Sequence, residues 1–528
     1  MARLHEHQGK AILSKAGLRV PRGRVARSAD EARAAATELG VEKTGVMVKV
    51  QAWTTGRAAA GGIKKATTAA DAADHASRML TMSFGRFPVT EVLIEECISI
   101  ARELFVSIAI DEAARAPVIL LSATGGSGVE DRADATSRVS CHVVKGPNPD
   151  ELKAAVARLN LQSDVAHDVQ RTIVRLFEIA RSNDARSLEI NPLAITPTGE
   201  TIAADCRITI DDYAVARHPE LGIEIARELD HPPTSLERVA YTIEQQDHRG
   251  TFFFAQMNSQ ANGEAAQGSK GLIGFHGAGG GGSMMSMDAI TAEGFTIANF
   301  CDTSGNPSPA KVYRAARVIL SQPGLVGYFG SGSGVANQEQ FWSAYGLAKA
   351  FWELELSIPA VVRLGGNTED RAVEILHTST KDLPAKVEGY KKTDTPRAIA
   401  SRFATLVEEH VKKNGARAAW TPREPRRPAF VGSTHAVSFE IKSGGGGGGG
   451  GGSGGGGSRV WIDLDAWKTN ARAIIARSNG LLKDENGRPA LAVSPAEFAS
   501  KDSDLIAAEV ECRRDGVEGL FVVLDMPA

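Results

Sequence analysis

Nowhere do about 18 apolar residues run consecutively, the length a membrane-spanning helix needs, so the chain does not read as one that crosses a bilayer. Cysteine is scarce: Cys97, Cys141, Cys206, Cys301 and Cys512 are scattered, odd in number and form no C-x-x-C pair. That spacing excludes a cysteine-built zinc cage or a redox dithiol and fits reduced, intracellular thiols. Neither sign of charge is in excess, since 60 Lys and Arg face 63 Asp and Glu for a formal net charge of -3. Such a balance carries no footprint for nucleic acid. The stretch from Met1 to Gly9 lacks the apolar run of a signal peptide and carries His5, Glu6 and His7, so the expected location is the cytoplasm.

What is present is the balance of a soluble globular protein, 42% hydrophobic and 23% charged, in 528 residues, too many for one ordinary domain. Three or more folded units are expected. Ser28 to Glu38 begins with Ser28 as N-cap of an Ala-rich helix, and Val46 to Val50 is a short strand opening onto Thr54, Thr55, Gly56, Arg57, Gly61 and Gly62. Val92 to Glu96, Leu104 to Ile110 and Val118 to Ser122 read as an antiparallel meander. A helix over Val165 to Arg181 leads into a strand, Ser187 to Ile195, and a turn at Thr198 and Gly199 returns the chain through Ile202 to Asp205. Asn191 and Asp205 are then expected on neighbouring hairpin strands. Beyond Lys270 the pattern changes to short apolar strands alternating with helices, at Gly271 to Phe275, Ile297 to Phe300, Val326 to Phe329 and Ala360 to Leu364. That is the signature of a doubly wound parallel sheet.

The glycine-rich loop Thr54 to Gly62 follows a strand bearing Lys49, so backbone N–H groups and an ammonium could face nucleotide phosphates; a plain surface hairpin is the competing reading. Glu189, Asn191 and Asp205 offer the hard oxygen ligands that Mg²⁺ takes beside a triphosphate, unless Asn191 only starts the turn at Pro192 and Asp205 is a solvated strand end. A helix opening after Gly277 to Gly282 would aim unpaired N–H groups at an anion, against the alternative of a floppy loop.

Taken in order, Leu4-His5-Glu6-His7-Gln8, Lys49-Val50-Gln51, Gly56-Arg57, Gly61-Gly62-Ile63-Lys64, Leu188-Glu189-Ile190-Asn191-Pro192-Leu193 and Arg217-His218-Pro219-Glu220-Leu221 resemble the beta subunits of succinyl-CoA synthetases. The match continues through Gly277-Ala278-Gly279, Met287-Asp288, Asn299-Phe300, Asp302, Val362-Arg363-Leu364 and Gly366-Asn367. The resemblance implies an α/β and α+β multidomain chain: an ATP-grasp domain over residues 1–229, a connection over 230–270 and a flavodoxin-like ligase domain over 271–415. It further implies that Lys49, Gly56, Arg57, Glu96 and Glu103 bind the nucleotide and that Asn191 and Asp205 hold Mg²⁺. Gly277, Ala278 and Gly279, with Gly330, Ser331, Gly332, Ser333 and Gly334, would form phosphate and substrate loops. ATP or GTP is the implied substrate beside a small carboxylate, with CoA and a phosphohistidine carried by an alpha-type partner subunit. His276 reads as structural rather than as that histidine.

Several stretches depart from the family pattern. Gly330 to Gln338 lacks the arginine, cysteine and aspartate usual there, so no bidentate clamp awaits a second carboxylate and succinate is in question. Ala59 replaces a usual lysine, and Ala123 to Gly128 lacks the usual glutamates. After an irregular extension, 416–442, residues 443–458 are glycine interrupted by serine. This is a flexible tether spanning roughly 20 Å whose regularity is that of an engineered joint. Residues 459–528 read as a small α/β fragment, possessing at its start a weak similarity to alanine racemase-like PLP enzymes, with Ser494 and Pro495 where their lysine is expected. Such a fragment is a tethered partner that cannot work as a PLP enzyme alone. The expected activity is acyl-CoA formation from a carboxylate; the rival readings are an ATP-grasp carboxylate–amine ligase on an unusual acid, and a weakened scaffold binding its own tail.

Overall fold

The computed structural model describes residues 2–53, 56–125, 136–227, 231–245, 251–257, 268–332, 336–415, 418–441, 458–483, 502–524 and 526. The chain divides into two compact units, Met1–Pro233 and Thr234–Ala528. Among the described residues no helix is long and apolar enough to cross a membrane.

The first unit opens with α1 (Glu6–Lys15) and then builds a small antiparallel sheet from β1 (Gly23–Ala26), β2 (Val46–Val50), β3 (Ile63–Ala66) and β4 (Val92–Glu96), in the order β1-β4-β2-β3. Two Ala-rich helices, α2 (Ala29–Glu38) and α3 (Ala69–Met79), cover one face of it through Ala32, Ala36, Ala72 and Ala76. Ser28 caps α2 as expected, its hydroxyl accepting from the Glu31 N–H at 3.1 Å. Small side chains let these helices lie close on the sheet.

A larger antiparallel sheet follows, from β5 (Arg102–Asp111), β6 (Ala116–Ser122), β7 (Thr136–His142), β8 (Ala185–Ile195), β9 (Thr201–Ala203) and β10 (Arg207–Ile210). The order is β10-β8-β5-β6-β7, with β9 also on β8. Helix α4 (Ser163–Ser182) packs on it through Val169, Ile173, Leu176 and Ala180, the i, i+3, i+4 spacing of an amphipathic helix. The ladder between β8 and β5 shifts register between Ile190 and Leu193, which places Asn191 at a bulge, a device that re-aims a side chain.

In the second unit the expected connection contains structure of its own, helix α5 (Ser235–Gln245) and strand β11 (Phe253–Gln256). The main sheet continues with β12 (Leu272–Ala278), α6 (Gly280–Ala292), β13 (Asn299–Asp302), α7 (Pro309–Leu320), β14 (Leu325–Gly332), α8 (Phe341–Glu353), β15 (Ala360–Arg363), α9 (Glu369–Thr380), β16 (Val387–Tyr390) and α10 (Pro396–Asn414). Strand order is β11-β13-β12-β14-β15-β16, parallel except for β11 at the edge. Reading from β13, this is the flavodoxin-like succession 2-1-3-4-5, whose direction of winding reverses between β12 and β14. Apolar side chains leave both faces, with Ile273, Phe275, Phe329 and Phe403 in one core and Leu272, Tyr328, Phe351 and Leu354 in another.

The expected irregular extension contains β17 (Ala436–Ile441), which pairs antiparallel with β18 (Ser458–Asp463); β18 in turn pairs with β19 (Leu520–Val523), alongside α11 (Leu464–Arg477) and α12 (Asp502–Arg514). Residues 443–457 of the tether and the expected strand Leu491 to Ser494 lie outside the described residues. The tail shares one hydrophobic core with the ligase sheet, Val460, Ile462, Leu505 and Ile506 joining Tyr345, Phe351 and Leu376. At that junction Lys349, fully buried, bridges Glu353 and Glu509 at 2.6 Å each. Burial pushes the Glu509 carboxyl up, and Lys349 pulls it back only in part. Phe521 lies 4.4 Å from the same ammonium.

Replacing Lys349 by Met leaves two buried carboxylates facing each other without a cation, at an expected cost of about 3 kcal/mol or more. Urea unfolding followed by tryptophan fluorescence measures this; an unchanged midpoint would show that the pair contributes nothing to holding the tail.

Candidate functional site

In the first unit, α1 begins with a carboxylate, Glu6, one turn before Lys10, and the two pair at 2.8 Å across the i, i+4 step. Neighbouring strands aim further charges at the same point. Lys49 from β2 reaches Glu6 at 2.9 Å and Glu95 of β4 at 2.7 Å. The Ala204 carbonyl accepts from Lys10 at 2.8 Å and from Lys49 at 2.9 Å. Arg57, at the start of the glycine loop, donates to Glu6 at 2.8 Å, to the Val50 carbonyl at 3.1 Å and to both oxygens of Asp205 at 3.1 and 3.0 Å.

Burial alone would raise the Glu6 carboxyl, but Lys49, Lys10 and Arg57 outweigh it and hold Glu6 well below the usual carboxylate range. Burial would likewise lower Lys49, yet Glu6, Glu95 and Asp205 hold its ammonium charged above the usual lysine value. The cluster therefore keeps two cations, Lys49 and Arg57, fully charged at the mouth of a glycine loop.

That loop folds back on itself, Gly62 N–H donating to the Arg57 carbonyl at 2.7 Å. A Cβ on Gly62 would stand 2.6 Å from Val50 Cγ2, so only glycine lets the loop close there. Gly56 takes a positive φ of 73° and is exposed; Thr54 and Thr55 lie outside the described residues.

The sequence expectations separate at this point. Lys49, Arg57 and Asp205 are brought together, whereas Glu96 is not. Successive strand residues face opposite sides, so Glu95 enters the cluster while Glu96 turns outward to Arg22 at 2.7 Å. Glu103 is exposed on β5, its carbonyl accepting from Gly125 N–H at 3.0 Å. Asp205 lies in the turn between β9 and β10 rather than on a hairpin strand, because β9 ends at Ala203. A bond of 3.1 Å from Ala204 N–H to the Pro192 carbonyl nevertheless ties that turn to the bulge bearing Asn191. An amide oxygen and a carboxylate on tied segments are a donor set that fits Mg²⁺. Sequence reasoning missed Glu6, Lys10 and Glu95; the i, i+4 spacing and the alternation along β4 were the available signals.

In the second unit the two glycine segments meet at the carboxyl ends of β12 and β14, where Gly277 is in register with Ser331 and Ala278 with Gly332. This is the reversal point at which open α/β sheets form their crevice. Gly330, Ser331 and Gly332 belong to β14 itself rather than to a loop, and Ser333 and Gly334 lie outside the described residues. The Ser331 hydroxyl is buried and accepts from Ser286 at 2.7 Å, so it closes the core instead of facing a ligand. Gly279, with a φ of 93°, precedes α6, and its N–H donates to Asp302 at 2.8 Å. The first turn of α6 is glycine from Gly280 to Gly282, leaving its N–H groups unobstructed by side chains. A Cβ on Gly277 would meet the Cys301 carbonyl at 2.9 Å, which fixes glycine at the strand end.

His276 is buried between the Tyr328 hydroxyl and Thr303 Oγ1, the latter at 3.2 Å, a structural placement. Burial pushes its imidazole down from 6.5 to about 4.

Fold and site together define a nucleotide-binding unit of ATP-grasp type followed by a flavodoxin-like ligase unit. A family model described as an ATP-grasp domain matches residues 3–195. The succinate–CoA ligase [GDP-forming] subunit beta of Thermus thermophilus is 32% identical over 394 residues, covering 74% of this chain and 97% of that protein. The succinate–CoA ligase [ADP-forming] subunit beta 1 of Archaeoglobus fulgidus is 33% identical over 391 residues, covering 73% of this chain and 95% of that protein. Among solved structures, ATP citrate lyase from Methanothrix soehngenii in complex with citrate and coenzyme A shares the fold, with a TM-score of 0.62 at 17% identity, covering 76% of this chain and 99% of that one. The chain belongs to the family of succinate–CoA ligase beta subunits and is an enzyme of the acid–thiol ligase class.

Two outcomes follow from this geometry. Glu95→Ala strips Lys10 and Lys49 of a shared buried partner and should cost about 3 kcal/mol, against under about 1 kcal/mol for the half-buried Glu96→Ala, whose partner Arg22 is exposed; chemical denaturation compares them, and equal effects would refute the assignment. For His276, a folded value near 4 against 6.5 unfolded means that the native state binds fewer protons between those values. Its contribution is therefore complete above pH 6.5 and lost as pH falls toward 4, by about 3 kcal/mol. His276→Gln should flatten that slope in urea unfolding; parallel slopes would contradict it.

Proposed function

We propose that the chain is the nucleotide-binding, beta-type subunit of an enzyme that joins a small carboxylate to CoA at the expense of ATP or GTP. The observation that carries this reading is the convergence of Lys49 and Arg57, both held charged, beside the Asp205 turn. Two fixed cations and a glycine loop are the equipment of a site that stabilises phosphoryl charge, because catalysis of phosphoryl transfer is largely positioning and electrostatics. In this reading Gly56 and Glu103 line the nucleotide, while Asn191 and Asp205 hold Mg²⁺, which neutralises phosphate charge when bound. Phosphate binding exchanges the carboxylate partners of Arg57 for phosphate oxygens, without requiring either cation to change its protonation.

The γ-phosphoryl group passes to a histidine of an alpha-type partner, leaving ADP or GDP. The substrate carboxylate then accepts that phosphoryl group to give an acyl phosphate, and the CoA thiolate attacks the acyl carbon and expels phosphate. The crevice at Gly277, Ala278 and Gly279, with the open N–H groups of α6, is the phosphate-receiving element on this chain. The absence of arginine from Gly330 to Gln338 favours an acid other than succinate, since no bidentate clamp is available from that stretch.

CoA-dependent release of ADP or GDP, with an alpha-type partner added and a panel of acids supplied, tests the reading. Asp205→Ala should abolish turnover; full activity in that variant would discredit the metal assignment, and release driven by an amine instead of CoA would favour a carboxylate–amine ligase.

A further inference from the structure

Three side chains that the phosphoryl chemistry does not use converge where α1 begins. His5 is the N-cap residue, His7 lies in the first turn and Glu91 directly precedes β4. His5 Nδ1 and His7 Nε2 approach the same oxygen, Glu91 Oε1, at 2.9 and 2.8 Å. All three donor atoms lie within 4.8 Å of one another. Side-chain exposure is 14% for His5, 25% for His7 and 9% for Glu91, so the shared point is sheltered yet reachable from solvent.

Residues two apart on a continuous helix do not face each other. Here they do, because His5 keeps extended backbone, φ -67° and ψ 155°, while His7 is already helical. Trp53 shields one ring, its centroid 4.7 Å from that of His5. The outer carboxylate oxygen, Oε2, accepts from Arg27 at 2.8 Å, which fixes the carboxylate plane as carboxylates that bind metals are commonly fixed.

Two imidazole nitrogens and one carboxylate oxygen form a donor set for zinc, which takes three protein ligands at about 2.0–2.2 Å with water as the fourth. Tetrahedral bonding at those lengths separates neighbouring donors by roughly 3.3 Å, so each ring retreats from Glu91 by about half an ångström while the two ring nitrogens, within 4.8 Å of each other, settle at that same spacing. Mg²⁺ prefers oxygen alone, which separates this site chemically from the Asn191 and Asp205 position.

We propose that His5, His7 and Glu91 form a zinc site that clamps the start of α1 to the start of β4. Both segments also feed the ion cluster, α1 through Glu6 and β4 through Glu95, so the clamp fixes the spacing of the two carboxylates that hold Lys49. The site stands whether or not the ligase reading does.

The test uses the full chain, stripped with a chelator, dialysed and titrated with Zn²⁺ in the presence of excess Mg²⁺. One ion per chain should bind, with affinity reduced at least about tenfold in His7→Gln and in Glu91→Gln. Wild-type protein loaded with Co²⁺ should show the visible absorption of a tetrahedral site without a thiolate charge-transfer band. Circular dichroism establishes that each variant is folded, and where one is not, the wild-type cobalt spectrum decides. Equal zinc affinity in wild type and both variants, displacement of zinc by Mg²⁺, or a thiolate band would overturn the proposal.

Discussion

Burying charge in balanced sets is the constraint on which the first unit depends. Glu6, Glu95 and Asp205 face Lys10, Lys49 and Arg57, and most of these groups are withdrawn from water. An ion in such a place costs several kcal/mol unless its partners are in position. Helix α1, strands β2 and β4, the glycine loop and the turn after β9 each contribute to the set, so none of them can shift without stranding a charge. The same requirement that fixes the fold also keeps a permanently cationic pair, Lys49 and Arg57, at the glycine loop.

The second unit is organised around backbone rather than around charged side chains. A parallel sheet that reverses its winding leaves a crevice between β12 and β14, and glycine at both strand ends keeps that crevice lined with backbone. Ser286 donates to Ser331, Asp302 accepts from the Gly279 and Ser304 N–H groups, and Thr303 donates to the Gly277 carbonyl, so the floor is rigid. His276, packed into that floor and held neutral, belongs to the support and not to the chemistry.

The tail has no comparable freedom. Its strands complete a small sheet with β17, and its apolar side chains enter the core beneath α8, around Lys349. A pair buried in this way specifies one docking geometry, because any slip exposes Glu509 to apolar neighbours without its ammonium. The tethered segment and the ligase sheet accordingly form one compact unit.

Helix and strand positions, the two glycine segments and the alternation of strand and helix that marks a doubly wound sheet were legible along the chain, because each rests on spacing within a few residues; the family was legible as a resemblance, from motifs in a fixed order from Leu4 to Asn367. Ser28 as a cap and the periodic face of α4 are of this kind. Tertiary structure alone decided which neighbour in β4 joins Lys49, that Ser331 is spent on Ser286, and that His5 and His7 share Glu91. Those partners stand 45 residues apart for Ser286 and Ser331 and 86 for His5 and Glu91, and Lys349 lies 160 residues from Glu509. Local periodicity fixes the direction in which a side chain leaves its element; only the packing of distant elements determines what it meets, and with burial that meeting sets its charge and chemistry.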